Sequence, residues 1–394
     1  MAVIDSDVLV IGAGAAGLFA ALTAGQRGRR VQVIDHANKV GKKILMSGGG
    51  RCNFTNTGTT AANYLSANPH FCKSALARFT PADFIALVDK HRIAYHEKEL
   101  GQLFCDTSSK AIVRLLLDEC AAAGVQVRTD TAVEAIDTIA DGWQLRTSNG
   151  VYTARSLIVA TGGLSVPTMG ATGFGYDIAK RFGHAVLPTR AGLVPLTLSG
   201  KPLERFDGLS GVALEVEAQS GKASFRNQLL ITHRGISGPA VLQISNYWQP
   251  GKELRLDLLP GTDALAWLQQ MKNERGASEL RTVLGEILPK RLAQRLCEQW
   301  LGDKPVRQFD ERQLQAAADL LNDFPLTASG TEGYRTAEVT LGGVDTAKVS
   351  SASMESKLQP GLFLVGEVLD VTGWLGGYNF QWAWASGHAA GQAA

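Results

Sequence analysis

At 394 residues the chain exceeds one ordinary domain and has length for two or three parts with full cores. Its formal net charge of +2 lacks the basic excess of a dedicated nucleic-acid binder and any acidic tail, so a small-molecule substrate is the expected partner and nucleic acid is not. The cysteines Cys52, Cys72, Cys105, Cys120 and Cys297 form no CxxC pair and no metal-ligand spacing, so neither a disulfide framework nor a metal site is expected.

No signal segment precedes the first strand and no apolar run has the length of a membrane helix, which predicts a cytoplasmic protein without membrane contact. Nothing in the sequence fixes the oligomeric state.

The first segment, Asp7-Val-Leu-Val-Ile-Gly12-Ala-Gly14-Ala-Ala-Gly17, reads as strand, tight turn and helix. Gly12 permits the turn, Gly14 lets a pyrophosphate approach backbone N–H groups, and Gly17 lets helix and strand pack closely. The helix dipole favours the anion. A second strand, Arg30-Val-Gln-Val-Ile34, ends in Asp35, placed for a ribose hydroxyl. The unit is a dinucleotide cradle.

From His36 to Asn56 the chain is too glycine-rich for a helix and too polar for a buried strand, which predicts an ordered loop. Ser47-Gly48-Gly49-Gly50 offers close backbone approach to a flat or anionic ligand, and Lys42, Lys43 and Arg51 add positive charge. Helical periodicity follows from about Pro69 to Lys90 and from Ser108 to Ala123, with Gly101-Gln-Leu-Phe-Cys105-Asp106 between them. Val125 to Arg128 reads as a strand. Ala132 to Ile136, Trp143 to Thr147 and Val151 to Thr153 read as a small antiparallel excursion. Strand Ser156 to Ala160 ends at Thr161-Gly162-Gly163, a second glycine turn at the end of a strand where open α/β sheets bind ligands.

After a short helix ending near Phe182, the texture changes at Ala191 to short strand-like pieces separated by Gly, Ser and Pro, which predicts an inserted β module. Thr232-His233-Arg234-Gly235-Ile-Ser237-Gly238-Pro239 opens a helix to about Tyr247 with Ser237 as its cap. Asp263 to Asn322 reads as a helical subdomain. A last strand, Gly361 to Val365, ends in Gly366-Glu367, and Gly376-Gly377-Tyr378-Asn379 opens a small-residue helix to the C-terminus.

Ligand-type turns at Gly12, Ser47, Thr161 and Gly366 exceed what an NAD-only domain uses, and FAD would use them all. In this reading Glu367 accepts from ribityl or ribose hydroxyls. The helix opening at Gly376 aims its N-terminal dipole at the flavin edge where negative charge develops on reduction.

The motifs Gly12-Ala-Gly-Ala-Ala-Gly17, Gly41-Lys-Lys-Ile-Leu-Met-Ser-Gly-Gly-Gly-Arg-Cys-Asn-Phe-Thr-Asn56, Ala160-Thr-Gly-Gly163, Thr232 to Pro239, Val339-Thr-Leu-Gly-Gly-Val344 and Gly366-Glu-Val-Leu-Asp370 together resemble the BaiN/YhiN-type FAD-dependent oxidoreductases, which include aminoacetone-oxidase-like and bile-acid-reductase-like members. The resemblance implies an α/β, two-dinucleotide-binding-type (Rossmann-like) FAD domain in two segments, 1–190 and 333–394. It would be interrupted by a β-barrel-like domain, 191–260 with 325–332, and a helical subdomain, 261–324, with the substrate pocket where insert meets flavin. The implied non-covalent FAD site comprises Gly12, Gly14, Ala15, Ala16, Gly17, Asp35, Lys43, Ser47, Gly48, Gly49, Gly50, Arg51, Cys52, Asn53, Val133, Thr161, Gly162, Gly366, Glu367, Gly376, Gly377, Tyr378 and Asn379. Leu103-Phe104-Cys105 departs from the Val-Phe-Pro of many relatives, which bears on the pocket.

The lack of a CxxC beside the flavin motifs argues against disulfide-reductase chemistry. Cys52 reads as a buried structural thiol, and Trp374, Trp382 and Trp384 as packing. Tyr378 and Asn379 rank ahead of His233 as catalytic candidates. The expected activity is an FAD-dependent oxidoreductase acting on a small organic substrate, its flavin reduced by NAD(P)H. An amine-type flavin oxidase using O2 is one alternative, and an FAD-bearing RNA-binding or RNA-modifying protein is another.

Overall fold

In the computed structural model, which describes residues 3–394, the first strand (Val3–Ile11) lies between two parallel neighbours. Val8, Leu9 and Val10 are fully buried, as a central parallel strand covered on both faces requires. On one side it pairs with Val31–Ile34, which pairs in turn with Gln126–Arg128. On the other it pairs with Gly150–Val159. That strand is continuous where the sequence suggested two, because a single parallel register from Val3↔Val151 to Ile11↔Val159 runs through both halves. Its carboxyl half pairs with Leu362–Leu364 and its amino half with Gly142–Thr147, which leads antiparallel to Val133–Ile139. The architecture is α/β and Rossmann-like.

The first helix (Ala15–Gln26) is apolar on nearly every side and buried accordingly. Small residues let it meet the C-terminal helix (Tyr378–Ala393) closely. Cβ atoms on Gly387 and Gly391 would lie 2.6 Å from Ala16 O and 2.5 Å from Ala20 O.

Two local expectations change. The stretch from His36 to Asn56 holds a short helix (Lys42–Met46) and a strand (Asn53–Asn56), because Ile44, Cys52, Phe54 and Thr55 carry it into the core. The periodic stretch from Pro69 to Lys90 becomes two helices, Lys73–Arg78 and Pro81–Lys90. Pro81 forces Thr80 into extended backbone, and Thr80 then caps the second helix in a reciprocal box with Asp83.

Residues 3–190 and 339–394 form one unit and 191–338 a second. The second unit contains a seven-stranded antiparallel sheet in the spatial order Phe324–Thr327, Glu253–Asp257, Ala213–Ser220, Ala223–Thr232, Gly235–Ser237, Leu196–Thr197 and Gly330–Thr331. Helices Ala264–Arg275, Leu280–Leu284, Lys290–Leu296 and Glu311–Asn322 share its hydrophobic core, with Leu268, Leu292 and Leu314 in one cluster with Leu256 and Phe324. Ser237 does not cap a helix. It ends a strand, and the helix Pro239–Ser245 starts after Gly238, whose φ of +91° and tight approach to Gln228 O make the turn. Among the described residues no helix is long and apolar enough to cross a membrane, and no cluster of His, Cys, Asp and Glu could hold a metal ion.

Candidate functional site

Gly12 and Asp35 directly follow the carboxyl ends of two neighbouring parallel strands, and Thr161 and Gly366 follow the ends of the other two after one residue more. The sheet therefore gathers four distant segments on one edge. Gly12 (φ +111°) has no room for a side chain, since a Cβ would lie 2.4 Å from Ala160 O. A Cβ on Gly17 would lie 1.9 Å from Gly12 O. Gly14 is different: nothing lies within 4 Å of its Cβ position, and the helix it precedes has no side-chain cap. The motif thus divides into two packing glycines and one that opens a set of unpaired N–H groups to an anion.

Asp35 ties two turns together. Its Oδ2 accepts from Ala13 N–H (2.7 Å) and its Oδ1 from Ala37 N–H (2.7 Å). Thr131 N–H donates to the Asp35 carbonyl (2.8 Å), which brings the approach to Val133, half-buried at the start of its strand, beside the same turn.

Glu367 is the meeting point of four segments. Its Oε2 lies 2.6 Å from Lys43 Nζ, and its Oε1 accepts from Thr340 N–H (2.7 Å) and Ser165 Oγ (3.2 Å). Lys43 Nζ also donates to Ser165 Oγ (2.6 Å). Sequence reasoning found Lys43 and Glu367 but missed Ser165 and Thr340, which carry no local signal.

The glycine turn after Lys42–Met46 is left-handed at Gly48, Gly49 and Gly50, with φ of +56°, +63° and +86°. Gly49 and Gly50 face open space, whereas a Cβ on Gly48 would lie 2.9 Å from the Phe104 ring. Ser47 Oγ donates back to Ile44 O, and Arg51 is exposed. Cys52 is fully buried at φ +52°, and burial pushes its thiol up to about 12.

The strand Asn53–Asn56 is clamped to the start of the C-terminal helix. The Asn53 amide accepts from Gly377 N–H (3.2 Å) and donates to Thr55 O (3.1 Å). Asn56 Nδ2 donates to Gly376 O (2.9 Å), Thr55 Oγ1 to Gln381 Oε1 (2.6 Å), and Trp384 Nε1 to Phe54 O (2.8 Å). Gly377 (φ +93°) sits against Thr55 O, 2.4 Å from its Cβ position. The Asn379 amide is committed to the turn it follows, accepting from Gly373 N–H and donating to Gly373 O and Trp374 O. Tyr378 is nearly buried, with its ring edge-on to Tyr64, and burial raises its phenol above the ordinary range. His233 lies in the second unit, exposed at a hairpin turn.

These residues fit FAD. Gly14, Gly49, Gly50 and Gly162 each leave the Cβ position open within a well-defined turn, and Thr161 Oγ1 is buried without a partner. A family model described as HI0933-like protein Rossmann domain matches residues 6–393.

The chain belongs to this family.

Among relatives of the HI0933-like chain, the ribosomal RNA dihydrouridine synthase of Escherichia coli (strain K12) is 54% identical, covering 98% of this chain and 97% of its own. The protein of that name from Haemophilus influenzae is 50% identical over the same shares. The 3-dehydro-bile acid delta(4,6)-reductase of Clostridium scindens is 32% identical over 98% of both chains. A quinol-fumarate reductase structure with menaquinol molecules superposes at TM-score 0.52 and 16% identity, covering 100% of this chain and 71% of that one, which shows the shared fold. The HI0933-like chain is an FAD-dependent oxidoreductase of Rossmann-like fold.

One expectation is corrected. Nucleic acid was not expected as a partner, but relatives at 54% and 50% identity are named for ribosomal RNA. Net charge averages over the whole surface and is silent on how a local face meets phosphate.

Proposed function

We propose that this protein reduces a uracil ring of ribosomal RNA to its dihydro form, with FAD carrying the hydride and NAD(P)H supplying it. The observation that carries this reading is the 54% identity to a ribosomal RNA dihydrouridine synthase over 98% of the chain. The bile-acid relative supports the same chemistry from another side. By its name, its substrate has an alkene conjugated with a ketone, and the uracil alkene is likewise conjugated with a carbonyl. Bound flavin would supply a hydride to the alkene carbon β to that carbonyl.

The chain's own residues would do the rest. Gly14 and the first turn of its helix hold the pyrophosphate, and Asp35 the adenosine ribose. Glu367, held by Lys43 and Thr340, meets the ribityl hydroxyls. The Gly48–Gly50 turn and the start of the C-terminal helix flank the isoalloxazine, with the helix dipole facing its electron-rich edge. Asn379 positions that turn, and Tyr378 lines it. His233 is kept as a candidate in the second unit. Ribosomal RNA as substrate carries with it a cytoplasmic location, which the free state of all five cysteines supports.

The test is ribosomal RNA from a strain lacking the gene, incubated with purified protein, FAD and NADH or NADPH. Nucleoside mass spectrometry is expected to find a uridine derivative heavier by two hydrogens. RNA left unchanged with both donors, by protein that carries flavin, would falsify the reading.

A further inference from the structure

We infer that His96, oriented by Asp106, is the proton donor of the reduction, serving a substrate ring placed over the Gly48–Gly50 turn. The inference rests on the reading above, in which the substrate is an alkene conjugated with a carbonyl.

Three short strands, Asn53–Asn56, Gln102–Cys105 and Tyr95–Glu97, form a small antiparallel sheet with the middle one shared. Asn53 and His96 both stand opposite Phe104, one on each side, so the three side chains share a face. Gln102, two residues before Phe104, shares it by alternation. Asp106, just past the strand, reaches the same face through its contact with His96.

That face looks onto the glycine turns assigned to the flavin. Gln102 packs 3.0 Å from the Cβ position of Gly376, the Phe104 ring 2.9 Å from that of Gly48, and Asn53 accepts from Gly377 N–H. At the outer end of the row, His96 Nδ1 and Asp106 Oδ1 are 2.6 Å apart. The imidazole lies near-parallel to the Phe104 ring, at 18° and 6.3 Å between centroids. Among the described residues nothing in the protein engages His96 Nε2, and the side chain is 44% exposed.

One ring nitrogen fixed by a carboxylate, with the other open to solvent on the strand face that meets the glycine turns, is the arrangement proton transfer requires. Stability does not account for the pair, because both side chains are more than 40% exposed and such ion pairs contribute little. The thiols nearby are badly placed: Cys52 and Cys105 are fully buried, and the packed face of the sheet holds Leu103 with Cys105.

The step balances. Bound reduced flavin would supply a hydride, with its electron pair, to the alkene carbon β to the carbonyl. The alkene pair shifts toward the α-carbon and the carbonyl oxygen. The His96 Nε2–H bond breaks, the proton bonds the α-carbon, and the N–H pair stays on the ring. The neutral imidazole regains a proton from water at its exposed edge.

The experiment uses full-length, FAD-loaded enzyme in anaerobic stopped flow, reading flavin reduction by NAD(P)H and reoxidation by unmodified ribosomal RNA separately. His96→Ala is expected to leave the flavin spectrum and the reductive step unchanged, to slow reoxidation about 100-fold, and to recover with added imidazole. Asp106→Asn is expected to slow the same step about tenfold without touching the reductive one. In D2O, wild-type enzyme places solvent deuterium at the α-carbon from one face, and His96→Ala loses that selectivity. Reoxidation of His96→Ala within about twofold of wild type, with facial selectivity kept, overturns the assignment. Wild-type flavin that RNA leaves reduced overturns the function reading, whereas wild-type flavin that RNA reoxidises, with His96→Ala unimpaired, overturns this assignment alone.

Discussion

Lys43 Nζ stands 2.6 Å from Glu367 Oε2, joining the segment after the second parallel strand to the turn after the last one. The contact closes the sheet's ligand edge across most of the chain's length. Lys43 is 44% exposed, so the pair adds at most about 1 kcal/mol to folding. Its value is positional: the Glu367 carboxylate is held by three donors from three segments. Glu367→Gln is expected to unfold near the wild-type temperature yet bind FAD about tenfold more weakly, since an amide cannot accept on both sides. Fluorescence titration of apoprotein with FAD reads the difference, and equal affinity would show that Glu367 does not touch the cofactor.

The glycines of the first turn should separate fold from cofactor. Gly12→Ala forces a side chain into a left-handed residue and onto Ala160 O, so a loss of about 3 kcal/mol or more is expected. Gly14→Ala meets only open space and is expected to keep its melting temperature while losing flavin. Thermal unfolding beside flavin absorbance checks both, and a destabilised, flavin-bound Gly14→Ala would reverse the assignment.

Thr55 and Gln381 form a buried side-chain pair that fastens the glycine-rich segment to the C-terminal helix. Thr55→Val removes the donor and leaves the Gln381 oxygen unsatisfied, at an expected cost of about 1–3 kcal/mol. Urea unfolding measures it. A neutral result would mean that Gln381 finds another donor.

All five thiols are buried and raised by desolvation, Cys52, Cys120 and Cys297 to about 12 and Cys72 and Cys105 to about 11. Native protein at neutral pH is expected to show no fast reaction with a thiol reagent, and denatured protein to show all five thiols. Unfolded thiols ionise near 9 while the folded ones keep their protons, so stability is expected to fall as pH rises from 9 toward 12. Stability that grows over that range would contradict the burial.

Much of the site was legible because strand, turn and helix are local. Gly12 and Gly17 sit where close packing excludes any side chain, and Asp35 ends its strand beside them. What was not legible depends on pairing. Nothing near Thr340 or Ser165 in sequence announces that each meets Glu367. The segment His36 to Asn56 read as an ordered loop because it is too glycine-rich for a helix and too polar for a buried strand, whereas Asn53, Thr55 and Asn56 are buried and bonded to the C-terminal helix. Net charge misjudged the partner because it has no spatial resolution.

The sequence by itself determined the dinucleotide turn, the Rossmann-like class and the FAD chemistry, since each follows from backbone needs within a few residues. Only the tertiary structure decided which distant segments share the ligand edge. It also decided that His96 stands on the face of the glycine turns, because strand register sets which side chains meet, and register is a property of two segments rather than one.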